Sequence, residues 1–398
     1  MVLPGQDVSR RHAEIRRAGP LPVLRDLESR NGSWVNGARI RIDEEIPLGP
    51  NDVVRIGEWV GLVVEVPKGE VAQDAALIEI DRGWFGGPSL LRAIEPARRA
   101  APSDLPVIVQ GETGTGKEGL ARAVHAWSRR VGPFVAVNCA AIQPAMAEGE
   151  LFGYRRGAFT GAERAHEGFF RAAHGGTLLL DEIVELPAQV QAKLLRALEQ
   201  REVQPLGEAR PVPVDVRVIC ATQEPLAKAV AERRFRHDLL ARLDGVTVML
   251  PPLRDRRDDV APLFVRLLQD APAERPPALD PKLVEALLLY DWPLNVRELA
   301  LLARRMRVMH GGEPLLKRSM LPDRMAVAAP VGASGADRSE RMPDGDAAFD
   351  QLVLALRNAR GNVSRAAASL GISRARAYRL LDARPTFDVR ALRDEDLR

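Results

Sequence analysis

The chain has 398 residues, 46% hydrophobic and 28% charged, with 57 basic against 54 acidic side chains and a formal net charge of +3. These values are ordinary for a soluble globular protein, and no run approaches the roughly 18 apolar residues that a membrane span requires. At about 100 to 200 residues per domain two to four domains are expected, and the opening MVLPGQDVSRRHAEI lacks the apolar core of a secretory signal, so a cytoplasmic location is expected.

Residues 1–66 carry short β-type runs (PVLRDL, SWVNG, VVRIG, VGLVVEV) separated by Asn-Gly, Gly-Pro and Pro-Asn turn signals, which predicts a small all-β domain. A linker is expected over 67–82. From 83 to about 250, apolar strands (LPVIVQG, PFVAVNC, TLLLDE, VDVRVICAT) alternate with helical patterns such as AQVQAKLLRALEQ, predicting a parallel α/β sheet. Cys139 and Cys220 sit in two of those strands, so burial is expected of both rather than a disulfide or metal pair. The pattern turns purely helical after Pro251, and the domain that opens at 83 is expected to run to 323. Residues 324–345 read as a flexible linker, 346–383 as a small helical domain and 384–398 as a charged tail.

The stretch LPVIVQGETGTGKEGLARAVH is a strand, a glycine-rich turn and a helix. Gly111, Gly114 and Gly116 let backbone N–H groups close around phosphate oxygens, Lys117 reaches the outer phosphates, and the helix N-terminus adds its dipole. Glu118 stands where a Ser or Thr hydroxyl normally touches Mg²⁺. Further on, GGTLLLDEI is an apolar strand ending in Asp181 and Glu182, one carboxylate to hold Mg²⁺ through water and the other to polarise the attacking water. Strand, P-loop and acidic strand end together predict hydrolysis of a nucleoside triphosphate.

GETGTGKE, ELFGYRRGAFTGA, GGTLLLDEI, FRHDLLARL, PPLRDR and WPLNVREL occur in this order. The set resembles the AAA+ domain of the bacterial enhancer-binding proteins, activators of sigma-54 RNA polymerase, over about residues 83–323. The resemblance implies ATP with Mg²⁺ as cofactors, and a nucleotide cradle of Gly111, Glu112, Thr113, Gly114, Thr115, Gly116, Lys117 and Glu118; this family commonly carries Glu at that last position. It implies that Asn138 switches the catalytic glutamate and that Arg236 and Arg242 are fingers entering a neighbouring subunit's site, hence a homo-oligomer ranging from dimer to hexameric ring. Arg297 matches the sensor on the helical lid. Thr222 lies in the sensor segment of the core, where this chain reads ATQ instead of ATN and Gln223 offers one more methylene; Leu294 stands where glycine is usual. Gly157, Ala158, Phe159, Thr160, Gly161 and Ala162 form the loop that contacts sigma-54 in this family, with Phe159 and Thr160 as its tip.

VSRRHAEI followed by LRDLESRNGSWVNGARI resembles the forkhead-associated (FHA) β-sandwich, a phosphothreonine-binding fold. The match assigns phosphate contacts to Ser9 and Arg10, loop support to His12 and the peptide backbone to Asn31. The Gly-Arg pair and opening strands that the family places ahead of this segment are missing, so the expectation is either an incomplete start or a truncated sandwich with an exposed strand edge. At the other end, Phe349, Leu352, Val353 and Leu356 make one apolar helical face, Gly361 ends that helix and Ser373 caps a later one. Gln351 to Leu381 holds six arginines and no acid. This segment resembles a Fis-type helix-turn-helix, implying upstream DNA as a partner, with Arg365 on phosphate and Ser373, Arg374, Arg376 and Arg379 on the recognition helix. The fold class expected is therefore multidomain: an FHA-like β-sandwich, an α/β AAA+ P-loop ATPase with a helical lid, and an all-α helix-turn-helix. A general AAA+ unfoldase would lack both GAFTGA and the helix-turn-helix, and a non-enzymatic phosphopeptide-binding repressor would have lost Lys117 or Asp181.

Overall fold

A computed structural model describes residues 3, 7–18, 21–42, 44–64, 77–269, 276–326, 346–358 and the single positions 363, 366, 367, 370, 377 and 381. Two compact units divide the chain: residues 1–71, 277–290 and 312–398 form one, and residues 72–276 and 291–311 the other.

The first unit opens with strands β1 (Ala13–Ala18), β2 (Leu21–Asp26), β3 (Ser33–Val35), β4 (Ala38–Arg39), β5 (Glu45–Pro47), β6 (Val53–Ile56) and β7 (Trp59–Leu62). They pair antiparallel into two sheets, ordered β1-β2-β5 and β4-β3-β6-β7. The β3–β4 turn is Asn36-Gly37, with φ of 52° and 78°; positive φ at both central residues matches the twist of a two-residue hairpin, and Asn-Gly tolerates it best. Leu24 from one sheet and Val35, Val54 and Ile56 from the other share one apolar core, so the β-rich reading of this region agrees with the structure.

The second unit holds β8 (Ile78–Asp81), β9 (Trp84–Gly86), α1 (Pro88–Ala100), β10 (Val107–Gln110), α2 (Lys117–Ser128), β11 (Phe134–Asn138), α3 (Ala147–Phe152), α4 (Phe169–Ala172), β12 (Thr177–Asp181), α5 (Ala188–Gln200), β13 (Glu202–Val203), β14 (Val212–Pro213), β15 (Arg217–Thr222), α6 (Leu226–Ala231), α7 (His237–Leu243), β16 (Val246–Met249) and α8 (Val260–Leu268). Its main sheet runs β11-β12-β15-β10-β16, every pair parallel. Parallel strands linked by helices are covered on both faces, which is why these read as continuous apolar runs. Successive residues take opposite sides: Leu178, Leu180, Val218 and Cys220 meet the layer that includes Leu151, Leu194 and Leu239, while Leu179, Ile219 and Ala221 meet Leu90, Ile94 and Leu120 of α1 and α2. Cys139 and Cys220 are both buried, and burial pushes the Cys139 thiol up to about 12.

Beyond α8 come β17 (Ala278–Leu279), α9 (Pro281–Leu289), α10 (Asn295–His310), β18 (Leu315–Leu316), α11 (Asp323–Ala326) and α12 (Asp346–Asn358). Of these, α10 falls in the second unit and the rest in the first. Along α12, Phe349, Leu352 and Leu356 are buried in a small cluster with Val363, Ala366, Ala367, Ala377 and Leu381. The expected DNA-reading positions, Arg365, Ser373, Arg374, Arg376 and Arg379, lie outside the described residues. No helix among the described residues is long and apolar enough to cross a membrane.

Candidate nucleotide site

The parallel sheet brings the chemistry to one edge. Gln110 pairs with Thr222, Asn138 with Asp181, and Asp181 with Ala221, so the carboxyl ends of β10, β11, β12 and β15 lie side by side, where α/β folds place their ligands. The loop after β10 turns through Gly114 at φ 78° and Gly116 at φ 106°, conformations that side-chain-bearing residues rarely adopt. At Gly116 a Cβ would also come within 2.9 Å of the Trp84 indole nitrogen. Gly116 caps α2 without a side-chain hydrogen bond. The first N–H groups of α2 therefore remain available to an anion.

Lys117 is buried, and its ammonium donates to the Gly111 carbonyl at 3.0 Å while lying 3.3 Å from Glu182 Oε1. Asp181 ends β12 and is half-buried; burial raises its carboxyl above the usual range, against the opposing pull of the Lys117 ammonium. Glu182 holds left-handed backbone angles, φ 52° and ψ 50°, a strained conformation for this residue type. Its Oε1 accepts a hydrogen bond from Gln223 Nε2 at 2.9 Å. Asn138, expected to switch the glutamate, accepts through its side-chain oxygen from the Ala140 N–H at 3.0 Å. Thr222 is buried, its hydroxyl donating to the Glu224 carbonyl. Glu118 is exposed and paired with Arg122 one turn on, at 2.7 Å.

Three side chains that sequence reasoning did not single out support the P-loop from behind. Arg254 forks onto the Glu112 carboxylate, with one arm at 2.7 Å. Asn295 accepts from the Leu253 N–H at 2.7 Å and donates to the Thr113 carbonyl at 2.9 Å. Arg256, fully buried, donates to the Thr115 carbonyl at 3.0 Å and pairs with Asp259, which in turn accepts from the Gly87 N–H. Burial pushes Asp259 up to about 6, with Arg256 opposing. The only sequence signal for this bracket lay in PPLRDR and WPLNVREL, read there as marks of resemblance rather than as P-loop supports. Arg297 is exposed near Gly114, whose carbonyl accepts from the Val296 N–H at 3.0 Å. Leu294 has φ −108°; replacing glycine there costs no strain.

Arg236 pairs with Asp238 on α7 and Arg242 donates to the Leu198 carbonyl, both from exposed positions. Between α3 and α4, residues 157–162 form a closed turn in which the Gly157 N–H reaches the Ala162 carbonyl at 2.9 Å. Gly157 and Gly161 take φ of 80° and 100°, with open space where a Cβ would stand. Phe159 rests edge-on against Tyr154, centroids 5.0 Å apart, yet remains 36% exposed. Thr160 is exposed.

In the first unit, the Ser9 hydroxyl accepts from the Arg30 N–H at 3.2 Å, and Asn31 Nδ2 donates to the Asp7 carbonyl at 2.8 Å. The buried His12 ring bridges the Ser9 N–H and the Gly32 carbonyl. Arg10 is exposed beside them.

A parallel sheet with a glycine-rich loop, a buried lysine and an acid pair at its carboxyl edge defines a P-loop NTPase. Matches to known families refine the class: residues 86–249 match the sigma-54 interaction domain, 254–337 the AAA+ ATPase lid domain and 1–57 the FHA domain. The chain is 41% identical over 298 residues to the transcriptional regulatory protein ZraR of Salmonella typhi, covering 73% of this chain and 66% of that one. It is 39% identical over 308 residues to ZraR of Escherichia coli K12, covering 76% and 69%. The regulatory protein AtoC of the same strain is 40% identical over 300 residues, with 64% of its length spanned. NtrX of Brucella abortus, solved in complex with ADP, superposes with a TM-score of 0.58 at 32% identity, over 75% of this chain and 69% of that one. The chain belongs to the sigma-54-dependent transcriptional regulators and carries their AAA+ ATPase domain.

Proposed function

We propose that this protein hydrolyses ATP with Mg²⁺ to remodel sigma-54 RNA polymerase at promoters, from upstream DNA sites, under control of its FHA-like domain. The observation that carries the reading is the pairing of a complete P-loop and acid edge with an exposed Phe159-Thr160 tip held on two left-handed glycines. Lys117 and the α2 N-terminus bind the phosphates, and Glu182, oriented through Gln223, takes the proton of the attacking water. Asp181 suits Mg²⁺: a half-buried carboxylate gains from a cation beside it, and Mg²⁺ needs only one or two carboxylates plus nucleotide phosphates and water. No cluster of three or more potential ligands exists among the described residues, and none is required. Bound beside Asp181, Mg²⁺ would supply positive charge to offset that of the phosphates. The direct test is Mg²⁺-dependent phosphate release from ATP alongside open-complex formation by sigma-54 polymerase; release without any effect on the polymerase would refute the remodelling role.

Within the chain, Arg236 and Arg242 bond away from the P-loop, which supports their service to a neighbouring subunit's γ-phosphate in a ring. Mixing Arg242→Ala protein with Lys117→Ala protein is expected to restore part of the ATPase activity, because each supplies what the other lacks. Demonstrated mixed rings with no recovery would exclude action in trans.

The acid-free run from Gln351 to Leu381 supports DNA binding by a dimer on two half-sites. Arg374→Ala is expected to cost about 1–3 kcal/mol and relax preference at one base position, whereas Arg365→Ala weakens all sequences alike and lowers the salt slope by about one unit. Salt titrations on a selected site and on scrambled DNA separate the two, and equal loss on both DNAs for Arg374→Ala would rule out base reading through that residue. The FHA-like domain senses phosphothreonine through Ser9, Arg10 and Asn31, and a bound peptide must displace the Asp7 carbonyl from the Asn31 amide.

A further inference from the structure

The residue after the first glycine of the phosphate loop is an acid, Glu112. A carboxylate this close to a polyphosphate site works against binding, because like charges repel. The structure shows both of its oxygens engaged. The Arg254 guanidinium forks across the carboxylate, reaching Oε2 at 2.7 Å with one arm and Oε1 with the other. Asn295 Nδ2 lies 3.3 Å from Oε2 and also donates to the Thr113 carbonyl at 2.9 Å. The Oδ1 atom of Asn295 accepts from the Leu253 N–H at 2.7 Å, which joins the turn Leu253–Asp255 that carries Arg254 to the first residue of α10. Asn295 is fully buried and takes a left-handed φ of 52°, a conformation that asparagine tolerates better than most residues. All of these residues belong to the second unit.

The fork is poorly placed to serve stability. The side chains of Arg254 and Glu112 are 25% and 42% exposed, and an ion pair open to water contributes little. Its effect on local charge is larger. A bidentate guanidinium offsets the charge of a carboxylate in a fixed geometry, here next to a site whose attraction for phosphate comes from Lys117 and the N-terminus of α2. Without Arg254, one negative charge would stand uncompensated in that loop. Asn295 adds no charge, but its amide ties the Glu112 carboxylate and the Thr113 carbonyl to one point at the start of α10, so the loop and its acid hold a single arrangement.

We propose that Arg254 and Asn295 are positioning residues for the nucleotide: Arg254 offsets the charge of Glu112, and Asn295 holds that acid and its loop in place, so that the loop admits a polyphosphate. The inference rests on the ATPase reading and adds to it the means by which an acid is tolerated in the phosphate loop. The test titrates fluorescent analogues of ATP and ADP into the full chain, into Arg254→Met, which keeps an apolar stem and loses the charge, and into Asn295→Asp, which is nearly isosteric and suits the left-handed backbone. Each change is also made in a Glu112→Gln background. Arg254→Met is expected to weaken binding of the ATP analogue about tenfold and that of the ADP analogue less, since repulsion grows with phosphate charge. With Glu112→Gln present the same change costs far less, because the uncompensated carboxylate is gone. Asn295→Asp sets a second carboxylate beside Glu112 and drops the bond to the Thr113 carbonyl, so it too weakens the ATP analogue and regains affinity when Glu112→Gln is added. In steady-state hydrolysis both single changes raise KM more than they lower kcat. Wild-type affinity in Arg254→Met, an equal loss for both analogues, or a loss undiminished by Glu112→Gln would each overturn charge compensation; wild-type affinity in Asn295→Asp would overturn the part given to Asn295. Should Arg254→Met fail to fold, Asn295→Asp with and without Glu112→Gln decides whether the Glu112 charge opposes binding. A wild-type chain that binds the analogues but never releases phosphate from ATP would instead overturn the ATPase reading, while the titrations would still report on Arg254 and Asn295.

Discussion

Lys117→Ala is expected to abolish ATP binding, and Glu182→Gln to preserve binding while stopping turnover. The lysine ammonium sits at the mouth of the loop, bonded to the Gly111 carbonyl and beside Glu182, and alanine removes that fixed cation without offering phosphate anything in return. Loss of a positioned general base costs about 10²–10⁴ in rate. The amide that replaces the Glu182 carboxylate keeps its size and an oxygen to accept from Gln223, so ground-state binding survives. Titration with a fluorescent ATP analogue and measurement of phosphate release read the two steps separately. Undiminished hydrolysis by the Glu182→Gln protein would remove Glu182 from the mechanism, and tight analogue binding by Lys117→Ala would do the same for the lysine.

Thr160→Ala is expected to leave ATP hydrolysis largely intact and to eliminate open-complex formation by sigma-54 polymerase. Thr160 is exposed on a loop whose glycines have open space around them, so the substitution touches no core and should change stability by no more than about 0.5 kcal/mol. Phe159 is held edge-on against Tyr154, and Thr160 beside it is exposed. Phosphate release and promoter opening must then part company. A parallel fall in both would assign Thr160 to the catalytic site or to the fold.

Much of this architecture could be read from local sequence because local physics produces it. Runs such as TLLLDE and VDVRVICAT have the continuous apolar character of strands covered on both faces, and the Asn36-Gly37 turn announces a hairpin through its tolerance of positive φ. Gly114 and Gly116 likewise mark a loop that closes on itself, since their backbone angles exclude most other residues. In each case the cause lies within a few residues of the signal.

What only the tertiary structure decided depends on residues far apart in the chain. Gln223 reaches Glu182 across the strand ends β12 and β15, and the Asn138 side-chain oxygen accepts within its own turn; no spacing rule reports such pairings. Glu112 is gripped by Arg254 and Asn295 from more than a hundred residues away. Arg55 is buried against Glu285, 230 residues on, a pairing that no local pattern announces. The sequence by itself determined the apolar strands of the parallel sheet, the phosphate loop and the motif order that marks the family, because periodicity, glycine conformation and motif order are local properties; it did not show β8 inside the expected linker 67–82, nor β17 and β18 in the stretch read as purely helical. Which polar groups pair, and which face of a strand is covered, followed only from the folded chain, because hydrogen bonds and burial depend on distances that the sequence does not contain.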